Sequence, residues 1–424
     1  MKKRFLLHVL IACCFGFASL TVSANQSLSP KTYQKLNDIQ TLLTEGQYVE
    51  VEEALLELEG DLSPGFGLAL SYQIHAQLYL AKENTAQAIV YFNKALDLDA
   101  MKAVQAVSLA TNVSQLYLSD GKTQQAIDVL EARIEASEAE KKASTMAMAY
   151  ITLGSAYQVQ GNFSASIPWL KEGIKRAKKP RENWLQMLMA AHYQLKQYPE
   201  AIELLSQLIV INESKEEYWL QKASLYQIQQ MPKKSLEVLE LAYIRGVLKK
   251  EDGLILLVQL LVMQGIPERG GRLLHEMLQQ GAVELNEENW TLLASAWLQG
   301  RERSSAIMAF QNAALLSEKE LNDAAVQAAE NGKARAAKLY YRAAQLQFDE
   351  NQFSSAVTSY QKAISLGLTG KKVGIALLMQ GNSYFELGDY QNAKLYFSKA
   401  LAEPSSINGA KAWLNYMQQL ELFE

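Results

Sequence analysis

Cysteine is nearly missing from this chain: its 424 residues hold two, Cys13 and Cys14, and both fall in an apolar leader. Beyond that leader there is no thiol nucleophile, no disulfide and no cysteine metal ligand. Histidine is almost as sparse. Of the four, His8 lies in the leader, and none of His75, His192 and His275 has partners at metal-ligand spacing that complete a set. His75 and His192 are read as packed or groove-lining side chains. Catalytic signatures are absent as well, with no Gly-x-Gly-x-x-Gly, no Gly-x-Ser-x-Gly and no His-Glu-x-x-His. Gly367-Leu368-Thr369-Gly370-Lys371 has two residues between its glycines, where a phosphate loop needs about four, so it reads as a helix–helix turn. Positive charge is not in excess, with 41 Lys and Arg against 45 Asp and Glu, which argues against nucleic acid as a partner. Long apolar runs are missing after the leader. The most apolar segment, Leu254–Met263, is ten residues, which suits a buried helix and not a membrane span. These absences leave no catalytic residue, no cofactor, no metal site and no small-molecule substrate to expect.

What is there begins with the leader itself. Lys2, Lys3 and Arg4 precede an apolar stretch from Phe5 to Leu20, and Val22-Ser23-Ala24 places small side chains where a signal peptidase accepts them. Residues 1–24 therefore read as a secretory signal, with the mature chain over 25–424 in the periplasm. Two alternatives stand beside cleavage. The stretch could be retained as an anchor, or Leu10-Ile11-Ala12-Cys13 could act as a lipobox with Cys13 lipidated, although Cys14-Phe15-Gly16-Phe17 stays apolar past that cysteine. Tethering to a membrane is thus left open. Losing the three leader cations would take the net charge from −4 to −7.

The rest of the chain repeats. A small pair is followed by Tyr three residues on, then a tight turn, then small and aromatic residues at helical spacing. Gly154, Tyr157, Gly161, Phe163, Ser166 and Leu170 show the pattern, and so do Gly381, Tyr384, Gly388, Tyr390, Ala393, Phe397 and Ala400. It resembles the tetratricopeptide repeat, two antiparallel helices of about 34 residues. Ten copies can be anchored on the small residue of the second helix, at Val51, Ala88, Ala126, Ser166, Ala201, Ser235, Gly270, Ala306, Ala356 and Ala393. Their spacings are 37, 38, 40, 35, 34, 35, 36, 50 and 37. The expected fold is all-α, a single right-handed solenoid of about ten degenerate repeats. The long spacing suggests an added helix over 321–336, and a capping helix is expected over 411–424. Trp219, Tyr226, Trp290, Trp297 and Phe310 are expected to fill the space between repeats. Pro199, Pro232 and Pro267 fall at or near the starts of second helices, where a missing N–H costs nothing.

Such a stack presents a groove lined by its first helices. The candidate partner groove is Leu220, Ser224 and Gln227, then Ile255, Gln259 and Val262, then Thr291, Ser295 and Leu298. The same positions read Ile151, Ser155 and Gln158 earlier, and Tyr341, Gln345, Phe348, Leu378, Asn382 and Phe385 later. These are apolar residues mixed with neutral amides and hydroxyls. The lysines with which chaperone-binding repeat proteins clamp a terminal carboxylate are missing, so an extended peptide or a helix of a protein partner suits the groove. The densest charge cluster, Lys171, Lys175, Arg176, Lys178, Lys179 and Arg181, ends a second helix, where cations complement the helix terminus. Contact with an anionic partner or membrane head groups is the other reading.

Between Trp184 and Phe310 the likeness is more specific. The ordered series Tyr218-Trp219…Ala223…Tyr226, Leu236…Leu239-Glu240…Tyr243…Gly246, Gly265-Ile266-Pro267…Gly270…Arg272 and Trp290…Trp297 resembles the tetratricopeptide-repeat proteins that accompany TonB–ExbB–ExbD energy-transduction systems. The resemblance continues through Leu339–Leu401, while the first three repeats are less distinctive. It implies a non-catalytic periplasmic accessory with TonB, ExbB or ExbD as partners, close to the inner membrane and serving TonB-dependent uptake of iron or siderophores. The alternative is a scaffold for another envelope task, such as outer-membrane assembly, peptidoglycan coordination or cell division. The leader makes the first testable claim: intact mass of the exported protein should place Asn25 at its N-terminus, and a diacylated species beginning at Cys13 would overturn this.

Overall fold

In a computed structural model the described residues are 28–137, 143–319 and 326–422, and all regular structure among them is α-helical. The leader lies outside the described residues. Two compact units divide between Ile211 and Asn212, in the stretch where the sequence spacing is most regular, and each is described by itself. The first unit is five helical hairpins: α1 (Pro30–Glu45) with α2 (Tyr48–Asp61), α3 (Phe66–Ala81) with α4 (Thr85–Asp97), α5 (Ala103–Ser119) with α6 (Thr123–Ser137), α7 (Ala143–Val159) with α8 (Phe163–Arg176), and α9 (Glu182–Gln194) with α10 (Tyr198–Ile211). The second unit continues with α11 (Glu216–Ile228) and α12 (Pro232–Ile244), α13 (Glu251–Met263) and α14 (Pro267–Gln280), α15 (Glu287–Gln299) and α16 (Arg303–Lys319), α17 (Val326–Asp349) and α18 (Phe353–Ser365), and α19 (Lys371–Glu386) and α20 (Tyr390–Ala400). A last helix, α21 (Ile407–Gln419), packs on α20. Within each unit every second helix also packs on the first helix of the following repeat.

Each hairpin turns in the same way. The residue just past the first helix takes a left-handed conformation, at Gly46, Glu83, Gly121, Gly161, Lys196, Gln230, Gly265, Arg301, Asn351 and Gly388. The next N–H then reaches back five residues, as in Asn84 N to Tyr79 O at 2.8 Å, Met231 N to Tyr226 O at 2.8 Å and Asp389 N to Tyr384 O at 2.9 Å. This closure satisfies carbonyls that a helix end leaves unpaired. Asn84, Asn162 and Asp389 then cap the following helix with their own side chains. Pro199, Pro232 and Pro267 occupy the first or second position of α10, α12 and α14.

The ten anchors are all buried. Small size is what lets the two helices of a hairpin approach. A β-carbon at Gly154 would lie 2.7 Å from Leu170 Cδ2, and one at Gly381 would lie 2.5 Å from Phe397 Cδ1. Where the anchor is Ser166, its hydroxyl donates to the Gly154 carbonyl at 2.7 Å, so the polar group is spent inside the crossing. Trp219, Trp297 and Phe310 are buried between neighbouring helices, while Tyr226 and Trp290 are half-buried.

Two expected boundaries move. The 16 or so extra residues around 321–336 do not make a helix of their own. Positions 326–336 are the first turns of α17, which runs unbroken for 24 residues, and 321–325 lie outside the described residues. Gly332 does not break it: the residue itself is buried against α16, where Ser317 Oγ donates to its carbonyl at 3.3 Å. The terminal helix begins at Ile407, four residues before the expected 411, and ends at Gln419. Ser406 just before it donates to the Ala400 carbonyl at 2.7 Å, which ties the start of α21 to the end of α20. Its Trp413 stacks on Phe397 at 5.4 Å, so α21 does cover the last repeat. Leu422 follows, and Phe423 and Glu424 lie outside the described residues.

Two consequences can be measured. Ala306→Leu or Ala393→Leu should each lower stability by about 1–3 kcal/mol through overpacking, read by denaturant unfolding; parent-like curves for both would mean that these are not crossing points. Replacing the left-handed Gln230 by Gly should stabilise by up to about 1 kcal/mol, and Gly388→Ala should destabilise by a similar amount.

Candidate interaction groove

The groove positions recur fifteen, eleven and eight residues before the anchors of repeats six to eight. On α11, α13 and α15 this sets them along one side at helical spacing. None of the nine is buried: Ser224 and Gln259 are exposed, and Leu220, Gln227, Ile255, Val262, Thr291, Ser295 and Leu298 are half-buried. The half-buried members lean on their neighbours. Leu220 Cδ2 would be 3.0 Å from a β-carbon at Gly253 on α13, and Val262 Cγ2 would be 3.2 Å from one at Gly270 on α14. Gln227 Nε2 donates to Ser235 Oγ at 3.4 Å, and Ser295 Oγ donates to the Thr291 carbonyl at 2.8 Å. Thr291 Oγ1 is buried with no protein hydrogen-bond partner, a condition that costs about 1–3 kcal/mol until something supplies one. No ionisable side chain belongs to the nine.

The corresponding positions elsewhere do not all serve a groove. Ile151 and Tyr341 are buried. Ile151 fills the space beside Gly173, 2.9 Å from where a β-carbon there would sit, and Tyr341 packs edge-on against Tyr360 at 5.9 Å. Gln158 spends its amide on the Met187 carbonyl at 2.7 Å.

Two features of this region were not foreseen. Ile228 and Met231, and one repeat later Met263 and Ile266, are exposed large apolar residues at the turn end of α11 and α13. They recur with a spacing of 35 residues at positions where a polar side chain would be ordinary, and that was the available signal. The second feature is a row of glutamates at the starts of first helices. Glu216 is buried and accepts the backbone N–H groups of Lys249 at 3.1 Å and Lys250 at 2.9 Å. Glu251 accepts Glu284 N at 3.1 Å and Asn289 Nδ2 at 2.8 Å. Glu287 accepts Ser317 Oγ at 3.2 Å and pairs with Arg335 at 2.7 Å. Each carboxylate reaches out of its own hairpin to hold later chain, and each sits in a first turn, where negative charge is favoured. Beside them Lys250 pairs with Glu217 and holds that exposed carboxyl below its ordinary range.

The histidines are structural. His75 is buried, its Nδ1 lies 2.9 Å from Glu59 Oε1, and its ring stacks on Tyr91 at 3.8 Å. His192 is buried with Nδ1 2.6 Å from Gln197 Oε1. His275 Nε2 lies 2.9 Å from Gln279 Nε2. The basic run is partly engaged: Arg176 pairs with Glu172 at 2.7 Å and lies over the Tyr150 ring, and Arg181 lies over Trp184. Among the described residues no helix is long and apolar enough to cross a membrane.

Residues 341–410 and 69–100 match tetratricopeptide-repeat family profiles. The chain carries tetratricopeptide repeats. No curated protein matches it. Solved structures that resemble it include a tetratricopeptide-repeat protein described as having an unusual peptide-binding site (YrrB; 15% identity, 44% of this chain and 89% of that one, TM-score 0.36). Another is the C-terminal part of a repeat protein from Cytophaga hutchinsonii (16% identity, 70% and 98%, TM-score 0.38). A third is a repeat protein from Parabacteroides merdae (14% identity, 65% and 99%, TM-score 0.33).

The glutamate row yields a stability test. Glu216→Ala leaves two backbone N–H groups without their acceptor and should cost about 1–3 kcal/mol, with Glu216→Gln recovering part of it in denaturant unfolding.

Proposed function

We propose that this chain is a non-catalytic protein-binding scaffold of the periplasm that assists a TonB–ExbB–ExbD complex in energising outer-membrane uptake of iron carriers. The observation that carries the binding part is the face of α11, α13 and α15. Its nine residues are apolar side chains, neutral amides and hydroxyls, with the acidic Glu217, Asp252 and Glu288 one turn before them, and the exposed Ile228, Met231, Met263 and Ile266 extend the face at the turn end of α11 and α13. A charged peptide terminus finds no counter-ion among those nine residues. A neutral or apolar segment would bury side chains there. A standard interface of about 1,600 Å² is of the scale that several consecutive first helices provide. The TonB assignment rests on the residue series between Trp184 and Phe310, and the periplasmic assignment on the leader.

Deletion should reduce growth on a siderophore or haem as sole iron source and leave growth in iron-replete medium unchanged. Leu220→Asp combined with Ile255→Asp should reproduce the loss with helicity intact, and periplasmic cross-linking should recover TonB, ExbB or ExbD. Normal TonB-dependent uptake in the deletion strain, with cross-links only to cell-wall or assembly proteins, would transfer the assignment to a scaffold for another envelope task.

A further inference from the structure

The repeats differ in how they fill the space between successive second helices, and two of them leave a cleft there. Two positions control that space, one nine residues before each anchor and one three residues after it. In repeat two they are Tyr79 and Tyr91, stacked with centroids 5.5 Å apart. In repeat ten they are Tyr384 and Tyr396, stacked at 5.2 Å. In repeat four they are Tyr157 and Trp169, with Trp169 lying 5.7 Å from Tyr150. The other seven repeats have no ring pair at these positions, and five and seven are two of them. Repeat five has His192 and Leu204, and repeat seven has Leu261 and Leu273. Both are places where the surface caves in.

The two clefts are not equivalent. In repeat seven the walls are joined: Arg269 on α14 pairs with Glu240 on α12 at 2.5 Å, and the space is about 250 Å³. In repeat five it is about 560 Å³, with Leu185 and Leu188 of α9 as its floor and Leu204 on the α10 side, within the roughly 300–1,000 Å³ of ligand-sized pockets. Its walls carry opposite charges. Lys171 and Lys175 of α8 line one side, and Glu200 and Glu203 of α10 line the other. Lys175 is 3.9 Å from Glu172 of its own helix, not paired across the gap. Exposed Lys178 and Lys179 follow at the end of α8 and extend the basic edge.

We infer that the cleft between α8 and α10 is a second docking site, which receives an aromatic side chain of a partner protein whose flanking carboxylates face the lysines of α8. The partner's ring would take the place that Tyr91, Trp169 and Tyr396 take in their own repeats. The basic run, which ion pairs within the chain only partly use, then has an anionic counterpart, and Glu200 and Glu203 set the direction in which that segment lies. Large rings in desolvated pockets are where interface energy concentrates. This site belongs to the first unit and does not depend on the groove of α11, α13 and α15.

The mature full chain should bind the peptide acetyl-Glu-Glu-Trp-Glu-Glu-amide, titrated by fluorescence anisotropy of a dye-labelled version. Alanine for the tryptophan, or lysine for the glutamates, should weaken binding by at least about tenfold. Leu204→Trp fills the cleft from within, so it should raise the melting temperature and abolish peptide binding. Lys171→Glu with Lys175→Glu, both exposed, should weaken binding at unchanged helicity, which keeps the test decisive should Leu204→Trp fold poorly. Leu220→Asp with Ile255→Asp should leave it intact. No binding by the parent chain, or binding that survives both Leu204→Trp and the lysine reversal, overturns the inference.

Discussion

Close approach of two helices at a small residue is the constraint on which everything else here depends. The buried anchors, from Val51 to Ala393, allow second helices to lie against first helices at distances a larger side chain would forbid. Once that distance is set, the left-handed residue and the five-residue return hydrogen bond of each turn follow as the short way to reverse the chain. Glycine takes half of those turn positions. At Glu83, Lys196, Gln230, Arg301 and Asn351 the packing of the hairpin outweighs the backbone cost.

With the hairpins fixed, differences between repeats arise from what fills the space around them. Aromatic rings close the gaps in repeats two, four and ten, and first-turn glutamates tie hairpins together in the second unit. These devices act through different physics. Rings stabilise by removing apolar area from water, at roughly 25 cal/mol per Å². The Glu216 carboxylate accepts backbone N–H groups that would otherwise lack a partner. Where a device is missing, surface becomes available, as in the cleft beside Leu204 and the apolar edge at Met263.

Nine groove residues without an ionisable group among them and a cleft with two charged walls would recognise different chemistries. The first discriminates by shape and by neutral hydrogen bonding. The second adds a Coulombic preference that weakens as salt rises. Holding two kinds of segment on two units would let such a chain bring different partners together.

The periodicity of small residues was legible along the whole chain, because close packing of helices needs small side chains at one phase, whatever surrounds them. That one requirement yields the all-α class, the ten hairpins and the phase of the nine groove residues. Of those nine, Ser224 and Gln259 are exposed and seven are half-buried, and the same phase placed Ile151 and Tyr341 inside the protein, since burial depends on which neighbour leans over a position. The continuity of α17 through 326–336 and the start of α21 at Ile407 escaped the sequence for a similar reason, since Ser317 against the Gly332 carbonyl and the Ser406 hydroxyl on Ala400 are contacts between helices. The glutamate row, the buried His75–Glu59 pair and the open cleft of repeat five join residues from different hairpins. Local sequence determined the hairpin and its repetition because those forces act within about 34 residues; which spaces between hairpins were closed or left open was decided only by the tertiary structure, where side chains far apart in the chain compete for the same volume.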